Sequence, residues 1–132
     1  MFTTDHAFSG FSVDDIEAAR RFYGDTLGLS VSDDPMGFLD IALASGAHIL
    51  AYSKSNHEPA SFTILNFPVA DLDAAVDDLN GRGVTTKIYS DDEFPTDHRG
   101  ILRGGDNGPD IAWFRDPAGN VLAVIQDDDL RG

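Results

Sequence analysis

The chain has 132 residues, 42% of them apolar and 24% charged, which is enough for one packed domain and too little for two. It contains no cysteine, so a disulfide framework, a thiolate zinc site and a cysteine nucleophile are all excluded. Asp+Glu 23 against Lys+Arg 9 gives a net charge of −14 with no basic cluster, so neither nucleic acid nor an anionic membrane is expected as a partner.

In chain order, His6 to Val13 alternates apolar and polar residues and predicts a strand. A helix follows, with Ile16, Ala19, Tyr23 and Leu27 at helical spacing, and Gly28 is placed to stop it. Asp14 and Glu17 have the spacing of a capping box. Strands are then expected at Ser30–Ser32, Phe38–Ala44 and Ala47–Tyr52, the last two joined by a turn at Ser45-Gly46. Ser61 to Val69 predicts a further strand, and Leu72, Ala75, Val76 and Leu79 a second helix, with Asp71 and Asp73 in its first turn and Gly81 or Gly83 at its end. Val84–Ser90, Ile111–Arg115 and Val121–Gln126 are expected as strands, the last pair joined by Asp116-Pro117-Ala118-Gly119-Asn120. The polar stretch from Asp91 to Asp110 is expected to be a long inserted loop of the kind that forms lids.

The pattern is internally repeated. Val13-Asp14-Asp15-Ile16-Glu17-Ala18-Ala19 matches Val69-Ala70-Asp71-Leu72-Asp73-Ala74-Ala75 at a constant offset of 56 residues, from 13 to 69. The predicted order is β-α-β-β-β, twice, within one α+β domain covering residues 1–132. The modules span 4–54 and 60–127, and they are expected to pack together around a shared cleft.

Two segments carry a family likeness. Phe11-Ser12-Val13-Asp14-Asp15 through Phe22-Tyr23-Gly24-Asp25-Thr26-Leu27-Gly28-Leu29 resembles the strand, V-x-D and FY-x-x-x-LG-L helix that begin a vicinal oxygen chelate module. Trp113-Phe114-Arg115-Asp116-Pro117-Ala118-Gly119-Asn120 resembles the F-x-DP-x-GN hairpin of the same superfamily, which includes glyoxalases, bleomycin-resistance proteins and extradiol dioxygenases. The resemblance implies two βαβββ modules paired into an open, curled mixed-sheet barrel enclosing a cleft, often completed by a homodimer. It also implies, for the enzymes of the family, a divalent metal held by His, Gln or Glu side chains on the strands.

Carried over residue by residue, those ligand positions are empty of donors. Seven residues before Asp15 stands Phe8, and seven before Asp71 stands Ile64. The position three residues after Asn120 is Ala123, and its first-module match falls at or beside Ala51. None of these side chains can ligate a divalent ion. The three glutamates, Glu17, Glu58 and Glu93, lie on a predicted helix and in loops. Of the histidines, His6 shares a strand face with Phe8 and His48 lies in the first hairpin, while His57 and His98 fall in loops. No metal and no other cofactor is therefore expected.

Other chemistry is thinly represented. Asp97-His98-Arg99 is the best acid–base candidate, set against a solvated loop segment, and Gly104-Gly105-Asp106-Asn107-Gly108 lacks the lysine of a phosphate-binding loop. The expected site is a largely apolar cleft lined by Phe8, Phe38, Ala51, Tyr52, Ile64, Asn66, Phe94, Trp113 and Ala123. It would take a small cationic or planar aromatic molecule, as the drug-binding members of the family do. A metal-dependent glyoxalase-type isomerase, lyase or dioxygenase and a catalytically silent interaction domain are the alternatives. The N-terminal MFTTDHAFSG has no basic segment followed by an apolar run, and no stretch approaches the ~20 apolar residues of a membrane span. A cytoplasmic protein, homodimeric like its family, is the expectation.

Overall fold

The computed structural model describes residues 1–131. The chain divides into two compact units, Met1–Pro59 and Ala60–Gly132. In the first, β1 (Ser9–Val13) leads into α1 (Ile16–Arg20), followed by β2 (Ser30–Asp33), β3 (Leu39–Ala42) and β4 (His48–Ser53). The second holds β5 (Thr63–Val69), α2 (Leu72–Gly81), β6 (Ile101–Leu102), β7 (Ile111–Arg115) and β8 (Val121–Gln126).

Both units use one topology. The first sheet has the order β1-β4-β3-β2 and the second β5-β8-β7-β6. In each, the outer pair β1·β4 or β5·β8 is parallel and the other ladders are antiparallel. Neither sheet closes into a barrel. The α+β class and the doubled βαβββ order are those that the sequence predicts. No helix among the described residues is long and apolar enough to cross a membrane.

Matching aspartates start the two helices. Asp15 is extended (φ −139°, ψ 105°) and its carboxylate accepts from the amides of Glu17 and Ala18. Asp71 has nearly the same backbone (φ −138°, ψ 98°) and accepts from the Ala74 amide. Each carboxylate satisfies amides that the helix itself leaves without partners, worth ~1 kcal/mol per cap. The capping box expected at Asp14 is thus displaced by one residue, and Glu17 pairs with Arg20 instead. Beyond Arg20 the helix widens into a π turn, Arg21–Thr26, with the Leu27 amide donating to the Phe22 carbonyl. This brings Gly24 against β2, where a Cβ would sit 2.8 Å from Val31, and buries Tyr23 completely. Alpha-helix α2 buries Leu72 and Val76 on the second sheet, and Gln126 of β8 accepts from the Leu72 amide at 2.8 Å.

The stretch expected as an inserted loop carries the second unit's edge strand. Beta-strand β6 lies inside it, at Ile101–Leu102, and pairs with β7. Residues 84–90, expected as that strand, join no ladder. The segment is held by specific bonds: Thr86 Oγ1 donates to the Arg99 carbonyl at 2.6 Å, and Lys87 Nζ donates to Thr96 Oγ1 at 2.6 Å and to Asp91 at 3.0 Å. Arg99 bridges Asp73 and Asp77 of α2, and Arg103 bridges Asp73 and Asp110. Residues 97–110 are thereby strapped to α2. Gly100 (φ +87°) makes the approach possible, because a Cβ there would meet the Thr86 carbonyl oxygen at 1.9 Å.

Replacing Gly100 with Ala should cost at least ~2 kcal/mol in urea unfolding, since the left-handed backbone alone costs ~1–2 kcal/mol and the clash adds to it. At Gly105 (φ +55°), where a Cβ meets nothing within 4 Å, the same change should cost only the backbone part. The strap also predicts acid sensitivity. Hydrogen bonds from Arg103 and Arg99 hold the Asp73 carboxyl well below the usual carboxylate range. Burial pushes Asp97 up, but the Ile101 and Arg99 amides and the two arginines outweigh it and leave it lowered. Carboxyls held low when folded stabilise above the unfolded value of ~4, and that contribution disappears as pH falls through and below it. Melting temperatures scanned downward from pH 6 should show the loss, and Asp73→Asn should lie lower at pH 6 and lose less on acidification.

Candidate ligand-binding faces

Alternation along a strand sends neighbouring side chains to opposite faces, so each sheet has one face under its helix and one turned away from it, the open face. In the second sheet the helix side holds Phe67, Ala112, Phe114, Leu122 and Val124, with Phe67 stacked on Phe114 at 6.4 Å. The open side holds Trp113, Val121 and Ala123, against which Ile88, Tyr89, Leu102 and Ile111 pack.

That face is organised around Trp113. It stands directly across the β7·β8 ladder from Ala123, whose small side chain leaves room for the indole. Phe94 lies over the indole nearly parallel to it (centroids 5.0 Å, 23°), and Tyr89 meets both rings edge-on at 4.9 and 5.4 Å. Arg115 places its guanidinium 5.9 Å from the Tyr89 centroid, within cation–π reach. Trp113 is 9% exposed and Phe94 39%, so Phe94 is the outer and more accessible ring of the pair. On the far side of Ala123, exposed Asn66 is its partner on β5, and half-buried Ile64 occupies the irregularity between Thr63 and Leu65.

The first sheet divides differently. Its helix side carries Val13, Leu39, Ile41, Ile49 and Ala51, all buried, with Phe11 against Tyr23 at 5.6 Å. Ala51 is paired with Phe11 and Leu39 on that side, so its expected place in the cleft is corrected. Its neighbour Leu50 takes the open position, opposite Gly10 as Ala123 is opposite Asn66. The Ser45-Gly46 turn sets the phase: with Ala42 opposite His48, the residues His48, Leu50 and Tyr52 face the open side. Tyr52 meets Phe38 edge-on at 6.4 Å, and Phe8, just before β1, is 66% exposed.

Phe94, Trp113, Ala123 and, by register, Asn66 therefore share the second sheet's face away from α2, and Ile64 lies in the irregularity of β5. The first sheet's open face brings Phe38 and Tyr52 together, with Phe8 preceding its edge strand. Tyr89 and Arg115 belong with Phe94 and Trp113 and escape the sequence reading, because residues 84–90 look like an ordinary strand. The family's metal positions now fall on Phe8, Leu50, Ile64 and Ala123, none of which carries a donor atom. Among the described residues no group of three or more His, Cys, Asp or Glu could hold a metal ion. This donor set does not fit a divalent cation.

The remaining candidates are engaged in holding the chain. Asp97 accepts from the Arg99 and Ile101 amides, and Arg99 is committed to α2, so Asp97-His98-Arg99 is part of the strap. Gly104–Gly108 makes a short turn fixed by Asp110, which accepts from the Gly104 amide. Buried Asp116 accepts from the Ala118 and Asn120 amides at 3.0 and 2.8 Å and from the Asn120 side chain at 3.1 Å, closing the β7–β8 hairpin. His57 Nδ1 lies 2.6 Å from Ser12 Oγ.

The family model for the Glyoxalase/Bleomycin resistance protein/Dioxygenase superfamily matches residues 3–124. The chain belongs to this superfamily. No curated protein matches it. Among solved structures it is similar to a member of the same superfamily from Sphaerobacter thermophilus DSM 20745, at 23% identity and a TM-score of 0.70, covering 94% of this chain and 98% of that one. It is also similar to TnmS3, an antibiotic binding protein from Streptomyces sp. CB03234 (24% identity, 96% and 98% covered, TM-score 0.66). A glyoxalase family protein from Enterococcus faecalis aligns at 19% identity, 94% and 98% covered, with a TM-score of 0.64. At these identities the likeness is one of fold.

Proposed function

We propose that this superfamily member is a metal-independent binding protein for a small planar aromatic molecule, preferably a cationic one, held on the open face of the second sheet. The observation that carries this reading is the Phe94–Trp113 pair. A phenylalanine 39% exposed and stacked flat on a tryptophan offers one side of a sandwich that a planar ligand completes. The partly buried apolar side chains around the pair, Ile88, Leu102 and Ile111, suit a ligand of low polarity. The net charge of −14 attracts a cation and repels an anion. A protein of the same fold, TnmS3, is described as antibiotic binding, which is consistent with such a cargo. The four donor-free positions support binding without metal.

Acridine orange, a planar aromatic cation, serves as the probe. It should quench the fluorescence of Trp113, the chain's single tryptophan, saturably and in the presence of a chelator. At 100 times its Kd it should stabilise the fold by ~2.7 kcal/mol. Phe94→Ala, at a partly exposed position, should leave the melting temperature nearly unchanged and weaken binding about tenfold, the equivalent of ~1.4 kcal/mol. Binding of equal strength in that variant, or binding that appears only after a divalent metal is added, contradicts the reading.

A further inference from the structure

The first sheet's open face carries chemistry that the aromatic face lacks. His48 and Asp40 are diagonal neighbours there, since Ala42 stands opposite His48 and Asp40 opposite Leu50. Nδ1 of His48 lies 3.0 and 3.2 Å from the two Asp40 carboxylate oxygens. A carboxylate oxygen accepts hydrogen bonds, so the imidazole donates from Nδ1, and in the neutral ring this tautomer leaves the Nε2 lone pair to take a proton. A carboxylate that fixes the tautomer and orientation of a histidine is the arrangement general bases use.

As a stabilising contact the pair counts for little, because both partners are more than a third exposed. Its setting is more informative. A cavity of about 420 Å³ opens beside it, within the range of small-molecule sites. Phe8 and Leu50 give it an apolar side, while His6, Asp5 and Asp34 join the dyad on the polar one. No lysine or arginine lines it, so an anionic guest would meet only carboxylates and imidazoles. The exposure of His48 gives water direct access to the ring.

We propose that this cavity is a catalytic site in which His48, positioned by Asp40, is the general base for hydrolysis of a small uncharged ester. Nε2 takes a proton from water as the water oxygen bonds to the acyl carbon. The tetrahedral adduct collapses with cleavage of the acyl C–O bond to a carboxylic acid and the anion of the alcohol; the acid ionises into solvent, and the imidazolium returns its proton to the alcohol's anion or to solvent. The products are a carboxylate and the alcohol or its anion, with no other reactant consumed. Asp40 does not touch the substrate and acts as a positioning residue.

The test uses 4-nitrophenyl acetate with the full chain, following nitrophenolate release across pH. The wild type should show saturable turnover exceeding that of free imidazole at equal concentration. His48→Gln should lower kcat by about 10²-fold, the usual contribution of a general base. Asp40→Asn should lower kcat with little change in KM and move the midpoint of the pH profile, with partial rescue in Asp40→Glu. His98→Gln, in an exposed segment, should match the wild type. Wild-type rates in His48→Gln, or rates no better than free imidazole, overturn the proposal, as does an Asp40→Asn profile with an unmoved midpoint. His48 is exposed and Asp40 half-buried, and unchanged circular dichroism melts confirm that a lost rate is not lost folding.

Discussion

Side-chain alternation across a pleated strand is the constraint from which the rest of this structure follows. Each sheet gives one face to its helix, and whatever the chain binds must meet the other. The phase is set locally, by the caps Asp15 and Asp71 at one end and by the Ser45-Gly46 and Asp116–Asn120 turns at the other. A shift of one residue would exchange Leu50 for Ala51, or Ala123 for Val124, and swap the two faces of the sheet.

The two open faces, built on one topology, have diverged in character. The second carries Trp113, Val121 and Ala123 beneath Tyr89 and Phe94, and is almost wholly apolar. On the first, Ser12, Asp40, His48 and Tyr52 make the face polar and ionisable. The positions at which the superfamily places metal donors hold apolar side chains on both. Such side chains offer no charge to organise vicinal oxygens through a metal; the two faces offer shape, stacking and a carboxylate–histidine pair instead.

Much of the fold was legible because its signals are local. The repeat, the helix starts at Asp15 and Asp71, and the hairpin turn at Asp116–Asn120 are each encoded within a few residues. The helix at Phe22-Tyr23 was visible too, whereas its widening into a π turn, which sets Gly24 against Val31, shows in no residue spacing. What escaped depends on distant partners. A two-residue strand such as Ile101–Leu102 shows no periodicity, whereas Val84–Ser90, rich in β-branched residues, reads as a strand yet is fixed by side-chain bonds from Thr86 and Lys87 to residues 91–99. The placement of Ala51 failed for a related reason, since a hairpin alignment loose by one residue inverts a face. At the candidate site, Trp113 and Phe94 could be named from the sequence, but their stacking could not. Tyr89 and the Asp40–His48 pair became visible only once loop and register were in place.

Metal content tests the central claim, that the cavity-bearing fold persists here without its metal site, most directly. The purified chain would be equilibrated with Zn²⁺, Ni²⁺, Mn²⁺ or Fe²⁺, passed through a desalting column and analysed by elemental mass spectrometry. No ion at a stoichiometric level is the expected result. One ion retained per chain, and lost when His6 or His48 is replaced by alanine, would contradict it.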